Sequence, residues 1–111
     1  MAVRRRTTKN PLPDRLRQLR EMRGLSQKEL GVLAGIDPSA ASPRINQYER
    51  GKHAPNFSVA AKLAEVLGAP AAFLYAEDDA LARLILSYGN TSMTEPAPRN
   101  TSGSASKRRS R

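Results

Sequence analysis

The segment from Ser42 to Arg50 carries the side chains of this sequence that are best suited to specific hydrogen bonding. It reads SPRINQYER and combines the guanidinium group of Arg44 with the amide groups of Asn46 and Gln47. Arginine presents a planar fork of donors, and an amide holds a donor beside an acceptor, so both can make paired hydrogen bonds to a flat partner. A helix with this polar face is suited to a partner that displays planar hydrogen-bonding edges.

Catalytic and metal-binding patterns are missing from the sequence. The chain of 111 residues has no cysteine and a single histidine, His53, so it offers neither a thiol nucleophile nor a zinc–thiolate site. It also has no Gly-rich phosphate loop. The acids Glu77, Asp78 and Asp79 are consecutive, and neighbours in sequence point in different directions on a helix. We therefore expect no enzymatic activity, no cofactor and no bound metal ion.

The net charge of +9 is concentrated at the two ends of the chain. Residues 1–13 and residues 91–111 contribute +4 each, whereas residues 14–90 contribute +1. Basic flanks attract a polyanion, although charged termini can also serve solubility alone. No apolar run reaches the roughly 20 residues that cross a bilayer, and a chain without cysteine suits a reducing compartment. We expect a cytoplasmic protein with no membrane partner.

Capping signals predict two short helices in the first third of the chain. Asp14 is suited to the N-cap of the first helix, and Gly24 to its end. Ser26 and Glu29 form a capping box, which predicts the start of a second helix. That helix is expected to bury Leu30 and Leu33 and to end near Gly35.

A third helix is predicted to follow a turn over residues 35–41. Ser42 is suited to its N-cap and Pro43 to its first position, where the missing amide hydrogen costs nothing. The helix is expected to run to about Arg50.

Three further helices are predicted after the third. Asn56 can cap the fourth, in which Phe57 extends the apolar stripe and Gly68 marks the end. A short fifth helix follows, and the acids at 77–79 favour the start of a sixth that ends at Gly89. The apolar positions of the sixth helix are Leu81, Leu84, Ile85 and Tyr88.

In this order and spacing, three pieces of sequence resemble the phage-repressor and Cro-like (XRE-type) helix-turn-helix family. They are Arg20, then Gly24-Leu25-Ser26-Gln27, then Glu49-Arg50-Gly51. The resemblance implies an all-α fold, with a compact five-helix lambda-repressor-like domain and one additional C-terminal helix. The sequence departs from the family pattern in two places. Several extra residues precede Glu49, and Gly31 occupies a position where alanine is common in the family.

The resemblance divides the chain into four parts. They are a basic, flexible N-terminal arm over 1–13, the helix-turn-helix domain over 14–76, an extra helix over 77–89 that can contact a second copy, and a disordered basic tail over 90–111. The arm can follow the DNA backbone or enter the minor groove, or it can be a solubilising end. The extra helix can equally pack on its own domain.

The resemblance also implies roles for individual residues. Arg44 can pair with guanine and Gln47 with adenine in the major groove. Ser42 and Asn46 are further base-reading candidates, and Pro43 can offer only apolar contact. The candidates for phosphate contact are Gln27, Lys28, Arg50, Lys52, His53 and Asn56. Arg20 and Glu49 are expected to form a structural ion pair between the first and third helices.

Together these expectations describe a sequence-specific regulator of transcription that binds double-stranded DNA as a homodimer. We expect no small-molecule effector, because the sequence shows no separate ligand-binding domain. Two alternatives remain open. One is an antitoxin or restriction-system controller that uses the same domain for autoregulation, and the other is a protein-interaction adaptor that no longer reads DNA.

Overall fold

The computed structural model describes residues 9–94, with side chains to residue 88. This range contains six helices and no strand, and the predicted all-α fold of five helices plus one is confirmed. The helices are α1 (Leu12–Met22), α2 (Gln27–Leu33), α3 (Pro38–Glu49), α4 (Phe57–Leu67), α5 (Ala71–Leu74) and α6 (Asp79–Thr94). Of the flexible arm predicted over 1–13, residues 1–8 lie outside the described residues, and residues 12 and 13 belong to α1. Of the disordered tail predicted over 90–111, residues 95–111 lie outside them, and residues 90–94 are helical.

One hydrophobic core holds α1 to α5 together. Apolar residues one turn apart on each helix fall on a single face, which each helix buries against the others. In α1 these residues are Leu12, Leu16 and Leu19, all at most 1% exposed. The other large side chains buried to this degree or nearly so are Leu30, Ile45, Leu63, Leu67 and Leu74.

The first helix begins three residues earlier than the sequence predicted, at Leu12. Its N-cap is Pro11, which makes no side-chain capping bond. One residue earlier, Asn10 Oδ1 accepts from the amide of Leu12 at 3.0 Å. Pro13 is tolerated in the first turn, where an amide donor has no helical partner. Asp14 is therefore not the N-cap; it lies in the first turn, where its charge suits the positive end of the helix.

The third helix also begins earlier than predicted, at Pro38 instead of Pro43. Asp37 is the N-cap, and its Oδ1 accepts from the amide of Ser39 at 2.9 Å. The same signal of a capping residue followed by proline thus occurs one turn upstream of Ser42. The end of the segment predicted as a turn is helical, and both Ser42 and Pro43 lie inside the helix.

Two apolar residues that were expected in buried stripes are exposed. Leu33 is 57% exposed at the end of α2, and Phe57 is 65% exposed at the start of α4. Both lie at the ends of their helices, where the stripe has already turned away from the core. The predicted cap of α4 is present, since Asn56 Oδ1 accepts from the amide of Val59 at 2.9 Å. Gly68 ends this helix with φ +71°, a left-handed conformation that glycine adopts readily.

The sixth helix runs through Gly89 to Thr94, so the predicted end at Gly89 is wrong. Glycine weakens a helix interior by about 1 kcal/mol but does not stop it unless a left-handed turn follows. The helix meets the core through Ala82, with Ile85 and Leu86 packed at its edge. The other predicted apolar positions face outward: Leu81, Leu84 and Tyr88 are 46%, 68% and 72% exposed.

Arg15 attaches the start of α6 to α1. Its Nε donates to the carbonyl of Ala76 at 3.1 Å, and a terminal nitrogen lies 2.9 Å from Asp79 Oδ1. The guanidinium also lies over the ring of Phe73, 5.8 Å from its centroid, within the range of a cation–π contact. The additional helix is therefore anchored at its N-terminal end.

Candidate nucleic-acid interface

The most extensive helix contact in the described residues joins α2 to α3. The predicted capping box starts α2: Ser26 Oγ accepts from the Glu29 amide at 2.9 Å, and Glu29 Oε1 accepts from the Ser26 amide at 2.8 Å. After α2 the chain turns tightly, with the Ile36 amide donating to the Gly31 carbonyl at 2.9 Å. This turn leads into α3, which packs against α2 as expected of a helix-turn-helix pair.

The two faces of α3 differ sharply in burial. The inner face consists of Ala41, Ile45, Tyr48 and Glu49, each at most 6% exposed. On the outer face Arg44 is exposed, while Ser42, Asn46 and Gln47 are half-buried. The four base-reading candidates therefore lie clear of the core and within two turns of one another. Their amide, hydroxyl and guanidinium groups can all donate hydrogen bonds to an external partner.

Pro43 lies in the interior of this helix and is exposed. Proline has no amide hydrogen, so the carbonyl of Ser39 lacks the donor that a helix normally supplies four residues later. The ring also crowds that carbonyl. The outer face of α3 therefore carries an apolar ring among polar side chains.

Arg20 and Glu49 form the ion pair that was expected between the first and third helices. Arg20 Nε donates to Glu49 Oε2 at 2.6 Å and a terminal nitrogen donates to Oε1 at 3.0 Å. A further guanidinium nitrogen donates to the carbonyl of Leu25 at 2.8 Å. The hydrogen bond to Glu49 raises the pKa of Arg20, and partial burial opposes this effect. The fork-to-fork geometry fixes the end of α3 against α1.

Gln27 joins the same network. Its Nε2 donates to Glu49 Oε1 at 3.1 Å, so one carboxylate oxygen holds both Arg20 and Gln27. The amide nitrogen has a second hydrogen, and the side chain is half-buried at the first position of α2. Gln27 is therefore positioned from α3 as well as from its own helix, which the sequence did not reveal.

The remaining phosphate-contact candidates lie at the edges of α2 and α3. Lys28 is exposed on α2, and Arg50, Lys52 and His53 are exposed after α3. The amide of Lys52 donates to the carbonyl of Gln47 at 2.9 Å, so the loop folds back on the helix end. The sixth candidate is Asn56, an exposed residue whose side-chain oxygen caps α4 as described above.

A shallow groove of about 400 Å³ brings the N-terminal entry to α1 beside this loop. Lys9 and Asn10 line one side, and Arg50 and His53 line the other. Both acids that line it are already in ion pairs: Asp14 Oδ2 lies 3.8 Å from Lys9 Nζ, and Glu49 is paired with Arg20. Sequence spacing gives no sign of this proximity, because the two segments are about 40 positions apart.

Other kinds of site lack support in the part of the chain that the structure describes. Residues 9–94 contain no group of three or more potential metal-ligating side chains. No helix among them combines the length and apolar character needed to cross a membrane.

Comparisons with known proteins agree with this geometry. Residues 16–74, just over half of the chain, match the model of a helix-turn-helix family named HTH_3. A solved structure described as the crystal structure of transcriptional regulator BswR is 44% identical, with a TM-score of 0.67. The match covers 75% of this chain and 88% of that one. No curated protein matches the chain.

Proposed function

The chain belongs to the helix-turn-helix family of phage-repressor and Cro-like regulators, and from this premise we propose that it reads double-stranded DNA sequence-specifically through α3. The match confirms the resemblance predicted from Arg20, Ser26-Gln27 and Glu49. Membership makes the protein a DNA-binding regulator of transcription, which is not an enzymatic role. The finer statements below are proposals about how it binds.

The observation that carries the proposal is the polar outer face of α3. Four hydrogen-bonding side chains project from a helix whose inner face is locked in the core, which is the arrangement that reads base edges in the major groove. Arg44 pairs with guanine, and Gln47 pairs with adenine. Ser42 and Asn46 add contacts beside them. Pro43 packs its ring against a thymine methyl group. A good bidentate contact contributes about 1 to 3 kcal/mol of discrimination.

Phosphate contacts hold α3 in register. Gln27 lies at the N-terminus of α2, where its remaining amide hydrogen and the helix dipole favour a phosphate. Lys52, His53 and Arg50 grip the backbone from beyond the end of α3. Lys28 and Asn56 make weaker contacts at the edges. Arg20 and Glu49 do not touch DNA in this scheme and instead fix the angle of α3.

A homodimer supplies the second reading helix. One short helix contacts only a few base pairs, so repeating it across a two-fold axis about one DNA turn away lengthens the site. In this proposal the two copies contact each other through the outward face of α6. Leu81, Leu84 and Tyr88 on that face are large, apolar and exposed, and pairing them with the same face of another copy removes them from water. The protein acts in the cytoplasm, on the chromosome.

The proposal is tested by changing Arg44 and Gln47 to alanine together. Sites are first selected from random duplexes with the wild type, and the affinities for the selected site and for a scrambled duplex are then compared. The double variant should lose the preference for the selected site and keep weak, salt-sensitive binding, because phosphate contacts carry no sequence information. Changing Arg17 and Gln18, two exposed residues of the same types on α1, should leave the preference intact.

The same selection of sites from random duplexes also distinguishes the proposed function from the two alternatives. If no sequence is enriched and the wild type binds a protein partner instead, the chain is an adaptor and the reading proposed for α3 is wrong. An antitoxin or restriction-system controller would also enrich a site. That site would lie in the promoter of its own operon, beside a gene for a toxin or a restriction enzyme.

A further inference from the structure

Gly31 on α2 and Ala41 on α3 lie in close contact between these helices. Both are buried, and Ala41 is 0% exposed. A methyl group added at Gly31 would lie 2.6 Å from the Cβ of Ala41 and 2.9 Å from its Cα. Ordinary contacts of a Cβ atom begin at 3.4 Å. Gly31 therefore leaves room for the backbone of α3 itself, and not merely for a side chain that could rotate away.

This contact lies at the base of the reading residues. Ala41 immediately precedes Ser42 and lies one turn before Arg44 in the same helix. With a methyl group at Gly31, an ordinary contact would require the two Cβ atoms to separate by a further 0.8 Å, the difference between 3.4 and 2.6 Å. Binding side chains need to be held within about 0.5 Å of their productive geometry, and hydrogen bonds weaken steeply as their distances and angles depart from ideal values.

The far end of α3 is held independently. Glu49 is bound to Arg20 and Gln27, so a displacement at Ala41 cannot be met by sliding the whole helix. The N-terminal half would instead tilt away from α2, carrying the reading residues with it.

We propose that the Gly31–Ala41 contact sets the angle at which α3 enters the major groove, and that Gly31 is a positioning residue for base recognition. The inference rests on the proposed function, since it concerns the same helix. It assigns specificity to a residue that cannot itself touch DNA, because Gly31 is buried on the inner side of α2.

The test compares Gly31→Ala with two double variants. Gly31→Ala/Ala41→Gly removes the Cβ of Ala41, the atom nearest to the added methyl group at 2.6 Å, and leaves the Cα of the same residue at 2.9 Å. Gly31→Ala/Ala40→Gly makes the same alanine-to-glycine change one position away, so it matches the cost in helix propensity without relieving the contact. Each protein is measured on the site selected by the wild type and on a scrambled duplex, with the folded fraction followed by circular dichroism.

We expect Gly31→Ala to reduce the ratio of specific to scrambled affinity about tenfold, the effect of losing one good base contact. The variant with Ala41→Gly should recover part of this loss, because the separation needed for an ordinary contact falls from 0.8 to 0.5 Å, the differences between 3.4 Å and the distances of 2.6 and 2.9 Å. The variant with Ala40→Gly should recover none. A purely structural effect would lower both affinities together and leave the ratio unchanged. If Gly31→Ala does not fold, recovery of both folding and preference by Ala41→Gly alone supports the inference.

The inference is overturned if Gly31→Ala keeps the wild-type ratio, or if Ala41→Gly gives no more recovery than Ala40→Gly. Failure of the proposed function has a different signature, because the wild type would then select no site at all.

Discussion

Arg20 and Glu49, 29 positions apart, are joined by two hydrogen bonds of 2.6 and 3.0 Å that tie the first helix to the end of the third. The side chain of Glu49 is 4% exposed and that of Arg20 is 13% exposed. Water can therefore replace little of this interaction if one partner is lost. The orientation of the proposed reading helix thus depends on a buried charge pair as well as on the hydrophobic core.

Changing Arg20 to methionine should lower the free energy of unfolding by about 3 to 5 kcal/mol, because it leaves the Glu49 carboxylate buried without its charge partner. Urea denaturation followed by circular dichroism measures the loss. Adding Glu49→Gln to this variant should recover part of it, since a neutral amide costs less to bury. Equal stability of the single and double variants would contradict this account.

Lys52 should contribute to DNA affinity without contributing to sequence preference. Lys52→Ala is expected to weaken binding to all duplexes alike and to reduce the slope of log K against log salt by about 0.9, the share of one phosphate contact. Lys62→Ala is the matched control, since Lys62 lies on α4, 3.6 Å from Glu65. Titrations at several salt concentrations measure both slopes. Equal slopes for the two variants would show that Lys52 does not contact a phosphate.

Pro43→Ala should stabilise the protein. Alanine restores the amide donor to the carbonyl of Ser39 and removes the crowding of the ring, and an interior proline costs a helix up to about 3 kcal/mol. Thermal and urea unfolding should show a gain of about 1 to 3 kcal/mol. Pro38→Ala is the control, because proline at the first helical position is well tolerated and its replacement should bring no comparable gain.

Leu84→Glu should shift the protein towards the monomer. Leu84 is 68% exposed on α6, and a charge at the centre of an apolar interface between two copies would be desolvated without a partner. Sedimentation equilibrium measures the association constant. Leu33→Glu is the control, because Leu33 is similarly exposed, at 57%, but lies on α2. If the wild type is monomeric, or if both variants dissociate equally, the assignment of the second copy to α6 is wrong.

Asp37 should make the start of α3 sensitive to acid. Hydrogen bonds from the amide and hydroxyl of Ser39 hold the pKa of Asp37 below its ordinary value of 3.8. Because the native pKa is the lower one, the ionised cap stabilises the fold fully above pH 3.8 and loses this effect as the pH falls through the native pKa. Asn caps a helix about as well, so Asp37→Asn should match the wild type near neutral pH. Below pH 3.8 its unfolding free energy should fall less steeply. Parallel pH profiles would exclude this role.

Local signals predicted those parts of the fold that depend on neighbouring residues. The capping box of Ser26 and Glu29 needs only four residues, and it is present as expected. The cap at Asn56 and the end of α4 at Gly68 follow from similarly short patterns. The start of α3 was mispredicted because Asp37-Pro38 and Ser42-Pro43 carry the same local signal, and only packing against α2 selects the first.

Proximity between distant segments was beyond the reach of these patterns. The hydrogen bond from Gln27 to Glu49 and the approach of Lys9 to His53 depend on how helices cross, which sequence spacing does not encode. The outward orientation of Leu84 has the same origin. Its apolar stripe shows that one side of α6 is hydrophobic, but Ala82 is the residue that meets the core.

The sequence by itself determined that this chain forms short capped helices, belongs to a DNA-binding family and carries guanidinium and amide groups on one stretch, because these properties are local or compositional. Only the tertiary structure decided where the third helix begins, which of its sides is open and how closely it approaches α2 at Gly31. Those outcomes follow from packing between residues far apart in the chain, where a change of less than an ångström separates contact from clash.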